Sequence, residues 1–245
     1  MTGLIPLFAF KKGLGKMRLF ICEKPSLANA VASFLGKPKK KDGYYSVAGD
    51  CVAWLYGHIL GLDMPDDYDP ALKQYSYETL PIVPSAFKKH VKGGSSKNAF
   101  NAIKKLAKEA DEIIHVGDPD REGQYLVDEV LEAIKNKKPT KRLLINAYDD
   151  VSVKRAFDSM EDNSSSKRRN QYKAALGRDY TDWLIGMNAS RKYSLDSGKP
   201  LKVGRVKVPT LALVARRNDE IENFKSVKYY IVRGFFRTDD STPFE

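Results

Sequence analysis

The sequence predicts an α/β protein whose mainly parallel sheet is flanked by helices and is followed by a smaller, mostly helical domain. Two observations support this fold class. Up to residue 160, short apolar runs of strand length alternate with segments of helical periodicity, which is typical of parallel strands joined by helices. After the polar joint EDNSSSKRR at 161–169, the periodicity is helical. A chain of 245 residues, 42% of them hydrophobic, is long enough to build a substantial core.

The first predicted strand is the apolar run MRLFIC at 17–22, which the proline-containing stretch EKPS interrupts. The helix that follows covers SLANAVASFLG, with Ser26 as its cap and Gly36 at its end. Residues 44–56 predict two strands around a Gly-Asp turn. Residues 62–86 are rich in Pro, Asp and Tyr and predict an irregular crossing segment.

The elements after residue 95 continue this alternation. Apolar residues recur at helical spacing in 95–110, 124–134 and 151–160, and apolar runs of strand length occupy 111–117 and 141–148. Beyond the polar joint, the pattern predicts a helix over 170–195, a basic loop over 196–208, a helix over 210–224 and a strand over 228–236.

These elements group into four regions: an N-terminal extension at 1–16, an α/β domain at 17–160, a helical domain at 161–224 and the start of a truncated further β domain at 225–245. The extension begins with the apolar patch MTGLIPLFAF, but no basic stretch precedes that patch, so it does not match a secretion signal. A single strand has no stability alone. We therefore expect the last strand to pair with an earlier one or to continue beyond the chain.

The charge balance indicates a polyanionic partner such as nucleic acid. The chain has 42 Lys and Arg against 31 Asp and Glu, which gives a net charge of +11. No apolar run is long enough to cross a bilayer, so we expect no membrane partner. Cys22 and Cys51 are too few for a disulfide framework or a four-cysteine zinc site, which fits the reducing cytoplasm.

Against this positive background, the stretch HVGDPDREGQ at 115–124 places acids at alternate positions, namely Asp118, Asp120 and Glu122. It lies where a predicted strand turns into a helix, which is where ligands bind in open parallel sheets. Three neighbouring carboxylates require a counter-charge, and Mg²⁺ prefers a few carboxylates together with water and phosphate oxygens. The alternative is that the acids only cap the helix, whose dipole favours negative charge.

Glu23 and Lys24 form a second candidate site directly after the first predicted strand. In a parallel sheet they emerge at the same edge as Asp118. Neighbouring carboxylates raise the pKa of a glutamic acid, which makes Glu23 a proton donor near neutral pH, and Lys24 can stabilise a phosphate oxygen. Taken alone, such a pair is commonly solvated surface. The basic loop SGKPLKVGRVK at 197–207 can follow a phosphate backbone closely.

Together, FICEKPSLA and VGDPDREGQYLVDEV resemble the Toprim domain of type IA DNA topoisomerases, in the bacterial topoisomerase III branch. The blocks TLPIVPSAF at 79–87, DWLIGMNASR at 182–191 and VGRVKVPTLALVARRNDEIENF at 203–224 match further blocks in the family's order. The resemblance therefore covers nearly everything from Met17 to about Tyr230. It implies a Rossmann-like Toprim sheet and an ATP-independent isomerase that acts on DNA.

The resemblance also implies a mechanism: one DNA strand is cut by a tyrosine, held as a 5′-phosphotyrosine while another strand passes, and then resealed. By motif match, Glu23 exchanges a proton with the leaving 3′ oxygen and Lys24 steadies the scissile phosphate. Asp118 and Asp120 hold Mg²⁺, and Glu122 completes the acidic cluster. By motif match, Arg178 and Asp182 lie on the helix that tracks single-stranded or underwound DNA, and Arg205 lies in the basic loop beside it. Lys202 and Lys207 of the same loop are predicted to bind the DNA because of their charge.

Two departures from the family are visible. Lys207 and Val208 stand where the family has Gln-Thr or Gln-Ser in GRVQTP, so a phosphate anchor replaces an amide that can read a base edge. The family's nucleophilic tyrosine lies in a motif like Ser-Tyr-Pro-Arg-Thr, which this sequence lacks; Tyr193 lies in another block and is predicted to be a packing residue. We therefore expect the nucleophile on a separate or downstream segment.

Two other functions remain open on the sequence. One is a different Toprim phosphotransfer enzyme, a nuclease or primase, although the helical blocks after residue 170 argue against it. The other is a non-catalytic Toprim module that binds single-stranded DNA.

Overall fold

The computed structural model describes residues 16–237 and 243–244, and the chain divides into two compact units, the first ending at Lys202 and the second beginning at Val203. The described strands are β1 (Arg18–Cys22), β2 (Lys39–Lys41), β3 (Tyr44–Val47), β4 (Asp50–Trp54), β5 (Leu60–Leu62), β6 (Lys89–Val91), β7 (Glu112–Val116), β8 (Thr140–Arg142), β9 (Glu161–Asp162), β10 (Phe236–Arg237) and β11 (Pro243–Phe244). The described helices are α1 (Pro25–Leu35), α2 (Pro65–Tyr68), α3 (Ser95–Glu109), α4 (Arg121–Ala133), α5 (Asp150–Asp158), α6 (Ser166–Ser197) and α7 (Lys207–Glu222), and a 3₁₀ turn covers Pro70–Lys73.

The first unit is built on a seven-stranded sheet in the order β2-β3-β4-β1-β7-β8-β9. Its central strands β4, β1, β7 and β8 are parallel, and antiparallel strands complete both sides. Cys22 lies opposite Val116, so β1 and β7 end level with each other. The predicted α/β class with a mainly parallel sheet is confirmed, and the loops after β1 and β7 leave the sheet side by side.

Alternate residues of the central strands supply two apolar cores, one on each face of the sheet. Leu19 and Ile21 of β1 face the core that α3 and α4 cover, whereas Phe20 and Cys22 face the core that α1 and α5 cover. This division follows from the period of two in a strand. Because both faces are buried, the central strands are continuous apolar runs, which is why the sequence identified them.

The starts of two helices differ from the sequence prediction. Ser26 is not the cap of α1: the helix begins at Pro25, and Lys24 occupies the cap position. Proline is favoured at the first helical position because its fixed φ suits a helix and its missing N–H leaves no donor unpaired. The helix predicted at 124–134 begins earlier, at Arg121, because the Asp120 side chain accepts a hydrogen bond from the Gly123 amide at 2.7 Å.

Two strand predictions were too long. The strand predicted at 141–148 stops at Arg142, which lies opposite His115. The Leu143 amide still donates to the His115 carbonyl at 3.0 Å, but β7 ends at Val116, so the residues after Leu143 have no β7 residue opposite them. The strand predicted at 228–236 is absent up to Phe235, where the chain is exposed and lacks a pairing strand among the described residues. The turn between β3 and β4 is formed by Ala48 and Gly49, both with positive φ, and Asp50 already belongs to β4.

The predicted polar joint at 161–169 is structured rather than a loop, since β9 pairs with β8 and α6 begins at Ser166. The helix predicted at 170–195 therefore extends over Ser166–Ser197, within the first unit. The helix predicted at 210–224 begins at Lys207, and the extension predicted at 1–16 lies outside the described residues except for Lys16. None of the described helices is long and apolar enough to span a membrane.

We expect Ile114→Ala to lower the free energy of unfolding by about 3 kcal/mol, because Ile114 is 0% exposed in β7 and truncation leaves a cavity in the core. Urea unfolding followed by tryptophan fluorescence measures this change. The control Val151→Ala, on the exposed side of α5, should stay within about 0.5 kcal/mol of the parent. Equal effects of the two variants would contradict the assignment of β7 to the centre of the sheet.

Candidate active site

The candidate site lies at the carboxyl edge of the sheet, where β1 and β7 end. The Glu23 amide donates to the Val116 carbonyl at 3.1 Å, which continues the pairing of the two strands past their ends. The Asp118 amide then donates to Glu23 Oε2 at 2.8 Å. The two loops that the sequence placed at the same edge are therefore joined directly, although their residues are 95 positions apart.

The three acids lie in residues 118–122, here called the acidic turn. The glycines on either side of it, Gly117 and Gly123, let this turn fold back on the start of α4. A Cβ atom on Gly117 would lie 2.0 Å from the Gly123 carbonyl oxygen, and a Cβ on Gly123 would lie 2.4 Å from both the amide nitrogen and the carbonyl oxygen of Asp118. Real Cβ atoms do not approach backbone atoms this closely. Both positions therefore require glycine, because one backbone segment packs directly on the other.

Each of the three predicted metal-binding acids has a protein partner on one carboxylate oxygen. Lys24 Nζ donates to Asp118 Oδ2 at 2.7 Å, the Gly123 amide donates to Asp120 Oδ1 at 2.7 Å, and Arg178 Nη1 donates to Glu122 Oε1 at 2.6 Å. The capping alternative therefore holds for Asp120. Within the described part of the chain, the second oxygen of each carboxylate has no hydrogen-bond partner.

These free oxygens suit a cation such as Mg²⁺, which takes a few carboxylate ligands and keeps several waters. The three acids do not form a closed cage. Among the described residues, the only acidic or histidine trio whose ligand atoms all lie within 4.8 Å of one another is Asp63 directly after β5, Asp67 on α2 and His90 on β6. The predicted acids therefore fit an open cation site, whose remaining ligands would come from water or from a bound molecule.

The surroundings of Glu23 and Lys24 raise the pKa of both side chains. Partial burial raises the pKa of Glu23, the Asp118 carboxylate raises it further, and the Asp118 amide and Lys24 oppose the shift. The hydrogen bond to Asp118 raises the pKa of Lys24. Glu23 therefore holds a proton closer to neutral pH than an ordinary glutamic acid, whereas Lys24 stays charged.

Arg142 supports the acidic turn through hydrogen bonds to its main chain, a role that was not predicted from the sequence. Its side chain is fully buried and donates through Nη2 to the Asp118 carbonyl at 2.7 Å, through Nη1 to the Gly117 carbonyl at 2.8 Å and through Nε to Gln124 Oε1 at 2.9 Å. Burial lowers its pKa to about 10, so the guanidinium remains charged at neutral pH. The sequence feature that could have indicated this role is the position of the arginine directly before the apolar run LLI, in a strand predicted to be buried.

His115, at the end of β7, supports the same turn. The buried ring lies with Nε2 3.1 Å from the Gln124 carbonyl oxygen, and its Nδ1 accepts a hydrogen bond from the Gly117 amide at 3.3 Å. Burial, together with the nearby Arg142 charge, lowers its pKa well below the usual range. The imidazole is therefore neutral and contributes fixed hydrogen bonds rather than charge.

Among the residues predicted to bind DNA, Arg178 contacts the acidic turn. It lies on α6, pairs with Glu122, and has Nε 3.7 Å from Asp182 Oδ2 one helical turn further on. Lys202 is exposed at the end of the first unit. Arg205 and Lys207 belong to the second unit, Arg205 in the turn before α7 and Lys207 as its first residue.

Family comparisons agree with this geometry. Residues 18–148 match the Toprim domain family, and residues 166–245 match a family described as DNA topoisomerase. Toprim domains bind divalent metal ions. The first match covers all of the loops that build the candidate site.

Curated relatives extend the match along the chain. DNA topoisomerase 3 of Vibrio cholerae is 43% identical over 239 residues, which cover 93% of this chain and 36% of that protein. DNA topoisomerase 3 of Bacillus cereus is 37% identical over 212 residues, or 86% of this chain and 29% of that protein. This chain thus spans about a third of the length of the curated relatives that it matches.

A solved structure shares the fold. Full-length topoisomerase I from Thermotoga maritima aligns with a TM-score of 0.56 and 20% identity, over 84% of this chain and 31% of that one. At this identity the likeness supports the architecture alone.

We expect Arg142→Lys to lower the free energy of unfolding by about 3 kcal/mol, because a lysine ammonium cannot reach the several buried carbonyls that the guanidinium satisfies. Urea unfolding measures the change, and Arg155→Lys on the exposed face of α5 is the matched control. If Arg142→Lys proves as stable as the control, Arg142 does not support the turn.

Proposed function

Since this chain belongs to the Toprim family, in the form found in the N-terminal region of type IA DNA topoisomerases, we propose that it carries the acid–base and phosphate-binding site of an enzyme that cuts and reseals single DNA strands. The observation that carries the proposal is the junction of Glu23, Lys24 and Asp118 at one sheet edge, where one hydrogen bond and one ion pair hold a raised-pKa acid beside a lysine. A phosphodiester exchange needs both groups.

In the proposed cleavage step, a tyrosine hydroxyl loses its proton to water, its oxygen bonds to phosphorus, and the bond from phosphorus to the 3′ oxygen breaks. Protonated Glu23 gives its proton to the departing 3′ oxygen. In resealing, the 3′ hydroxyl attacks the phosphotyrosine, Glu23 takes the proton back, and the departing tyrosine oxygen regains a proton from water. The raised pKa of Glu23 suits both directions near neutral pH.

Lys24 would bind a phosphate oxygen directly, and the acidic turn would bind it through a metal ion. The Lys24 side chain is partly exposed, so its ammonium can turn from Asp118 to a phosphate oxygen. The free oxygens of Asp118, Asp120 and Glu122 would hold Mg²⁺, which when bound neutralises phosphate charge.

The residues proposed to contact single-stranded or underwound DNA are Arg178, Asp182 and Lys202 of the first unit and Arg205 and Lys207 of the second. In the first unit, the bond from Arg178 to Glu122 connects α6 to the acidic turn. Lys207 contacts phosphate rather than a base edge, so binding there should depend on salt more than on sequence.

We assign the nucleophilic tyrosine to a separate or downstream segment, because no tyrosine of this sequence lies in a Tyr-Pro-Arg context. The reaction needs no ATP, since the phosphotyrosine conserves the energy of the broken phosphodiester bond. We propose that the protein acts in the bacterial cytoplasm on nucleoid or plasmid DNA, because its proposed substrate is DNA.

We expect Glu23→Gln to slow relaxation of underwound DNA by roughly 10²- to 10⁴-fold, because the amide cannot donate or take the transferred proton. The assay combines this chain with the downstream region of the Vibrio cholerae relative, as a mixture or a fusion. Affinity for single-stranded DNA should stay within about twofold, since the amide keeps the shape of the acid, and Glu109→Gln at the exposed end of α3 is the control.

Several outcomes would contradict the proposal. Unchanged relaxation by Glu23→Gln would remove Glu23 from the proton transfer. Degradation of DNA by this chain with Mg²⁺ alone would instead support a nuclease, and a covalent adduct with this chain alone would place the nucleophile within it. Binding of single strands without relaxation in any combination would support the non-catalytic module.

We expect Asp118→Asn combined with Asp120→Asn to weaken Mn²⁺ binding by roughly tenfold or more, since each substitution removes an anionic ligand. Titration calorimetry with Mn²⁺ as the probe measures the affinity, and Asp158→Asn on the exposed face of α5 is the control. A loss caused by Asp67→Asn instead would assign the cation to the trio of Asp63, Asp67 and His90.

A further inference from the structure

The connection from β8 to α5 forms a third wall of the candidate site. β8 lies parallel to β7 on the side opposite β1, so its carboxyl end opens at the same sheet edge as the loops that carry Glu23 and Asp118. A cavity of about 450 Å³ lies there, and Lys24, Asp118 and Asp120 share its lining with Asn146 and Tyr148 of this connection. No function was predicted from the sequence for Asn146 or Tyr148.

Tyr148 is held between two anchored positions. Ile145 is buried in the core on one side of it, and on the other side the Asp149 side chain accepts a hydrogen bond from the Ser152 amide at 2.9 Å and caps α5. Fixing the backbone at both ends restricts where the ring can point. Tyr148 therefore belongs to a constrained connection rather than to a long loop.

The Tyr148 ring is available for contact. The residue is 45% exposed, and within the described ranges 16–237 and 243–244 no aromatic or cation–π contact covers the face of its ring. Its hydroxyl lies near Lys24 and contributes to the raised pKa of that lysine, after the larger effect of Asp118. An open aromatic face thus lies beside the ammonium group that is proposed to hold the phosphate.

We propose that Tyr148 is a DNA-contacting residue of this site, whose ring stacks on the nucleobase adjacent to the phosphate held by Lys24. The inference rests on the proposed function and adds to it a residue outside the family motifs quoted above. A nucleotide presents an anionic phosphate and a flat apolar base next to each other, and the cavity presents an ammonium and a flat aromatic ring next to each other. Such stacking tolerates any base, because every base has a π-face.

The same contact would select unpaired strands. In a duplex each base is already stacked on its neighbours, so a ring at the cavity wall has no free base face to cover. In a single strand a base can turn out of its stack and pack on the ring. Tyr148 would therefore favour single-stranded over double-stranded DNA without reading sequence.

Fluorescence anisotropy with a labelled single-stranded oligonucleotide tests the inference on this chain. We expect Tyr148→Ala to weaken binding by about tenfold, a loss typical of one base–aromatic stack, whereas Tyr148→Phe and Tyr148→Trp should bind like the parent because both keep a ring. The matched control is Tyr56→Ala: Tyr56 is 50% exposed and follows β4, but does not line the cavity. A thermal melt checks that each variant is folded.

A scan with abasic oligonucleotides locates the contact. We expect one position at which removing the base weakens binding to the parent and leaves Tyr148→Ala unaffected, since the stack is already absent there. An equal effect of every abasic position on both proteins would overturn the inference.

The remaining outcomes separate this inference from the proposed function. If Tyr148→Ala binds as tightly as Tyr56→Ala while the parent binds single strands, the stacking inference fails and the proposed function stands. If Tyr148→Phe loses as much affinity as Tyr148→Ala, the hydroxyl and not the ring makes the contact, which also overturns the inference. If the parent chain does not bind single-stranded DNA, both proposals fail.

Discussion

The site depends on the hydrogen bond from the Asp118 amide to Glu23 Oε2, which ties the ends of two neighbouring parallel strands together. The bond forms because β1 and β7 end level, and because Gly117 and Gly123 let the acidic turn close onto the start of α4. Without this constraint, Glu23 and Lys24 would be an ordinary solvated pair. With it, the Glu23 carboxyl, the Lys24 ammonium and the carboxylates of the acidic turn lie close together.

The three acids of the turn each bond to the protein through one carboxylate oxygen and leave the other oxygen open for the proposed metal ion. Asp120 caps α4 with one oxygen, and Glu122 holds Arg178 with one oxygen, while the other oxygens remain open. Lys24 forms an ion pair with Asp118 and, in the proposed function, exchanges that partner for a phosphate. A site built in this way is stable before a ligand arrives, because its like charges are already compensated locally.

The sequence predicted the parts of this site that follow from strand pairing. Glu23 and Asp118 were placed together because each follows an apolar run that reads as a central parallel strand. Arg142 and Tyr148 could not be placed, because the run LLIN predicts a continuing strand, and only the structure shows that β8 ends at Arg142, close to the end of β7. The strand predicted at 228–236 shows the converse error: its residues have high strand propensity, but propensity does not supply a neighbour.

Arg142 has a further consequence for the proposed reaction cycle. Its hydrogen bonds go to main-chain carbonyls and an amide side chain, so its positive charge is not cancelled by a carboxylate bonded to it. If Lys24 leaves Asp118 for a phosphate, as proposed, the buried guanidinium would stay bonded to the main chain of the turn. It would then act as a permanent internal counter-ion that limits the repulsion among the acids while Lys24 is bound to the phosphate.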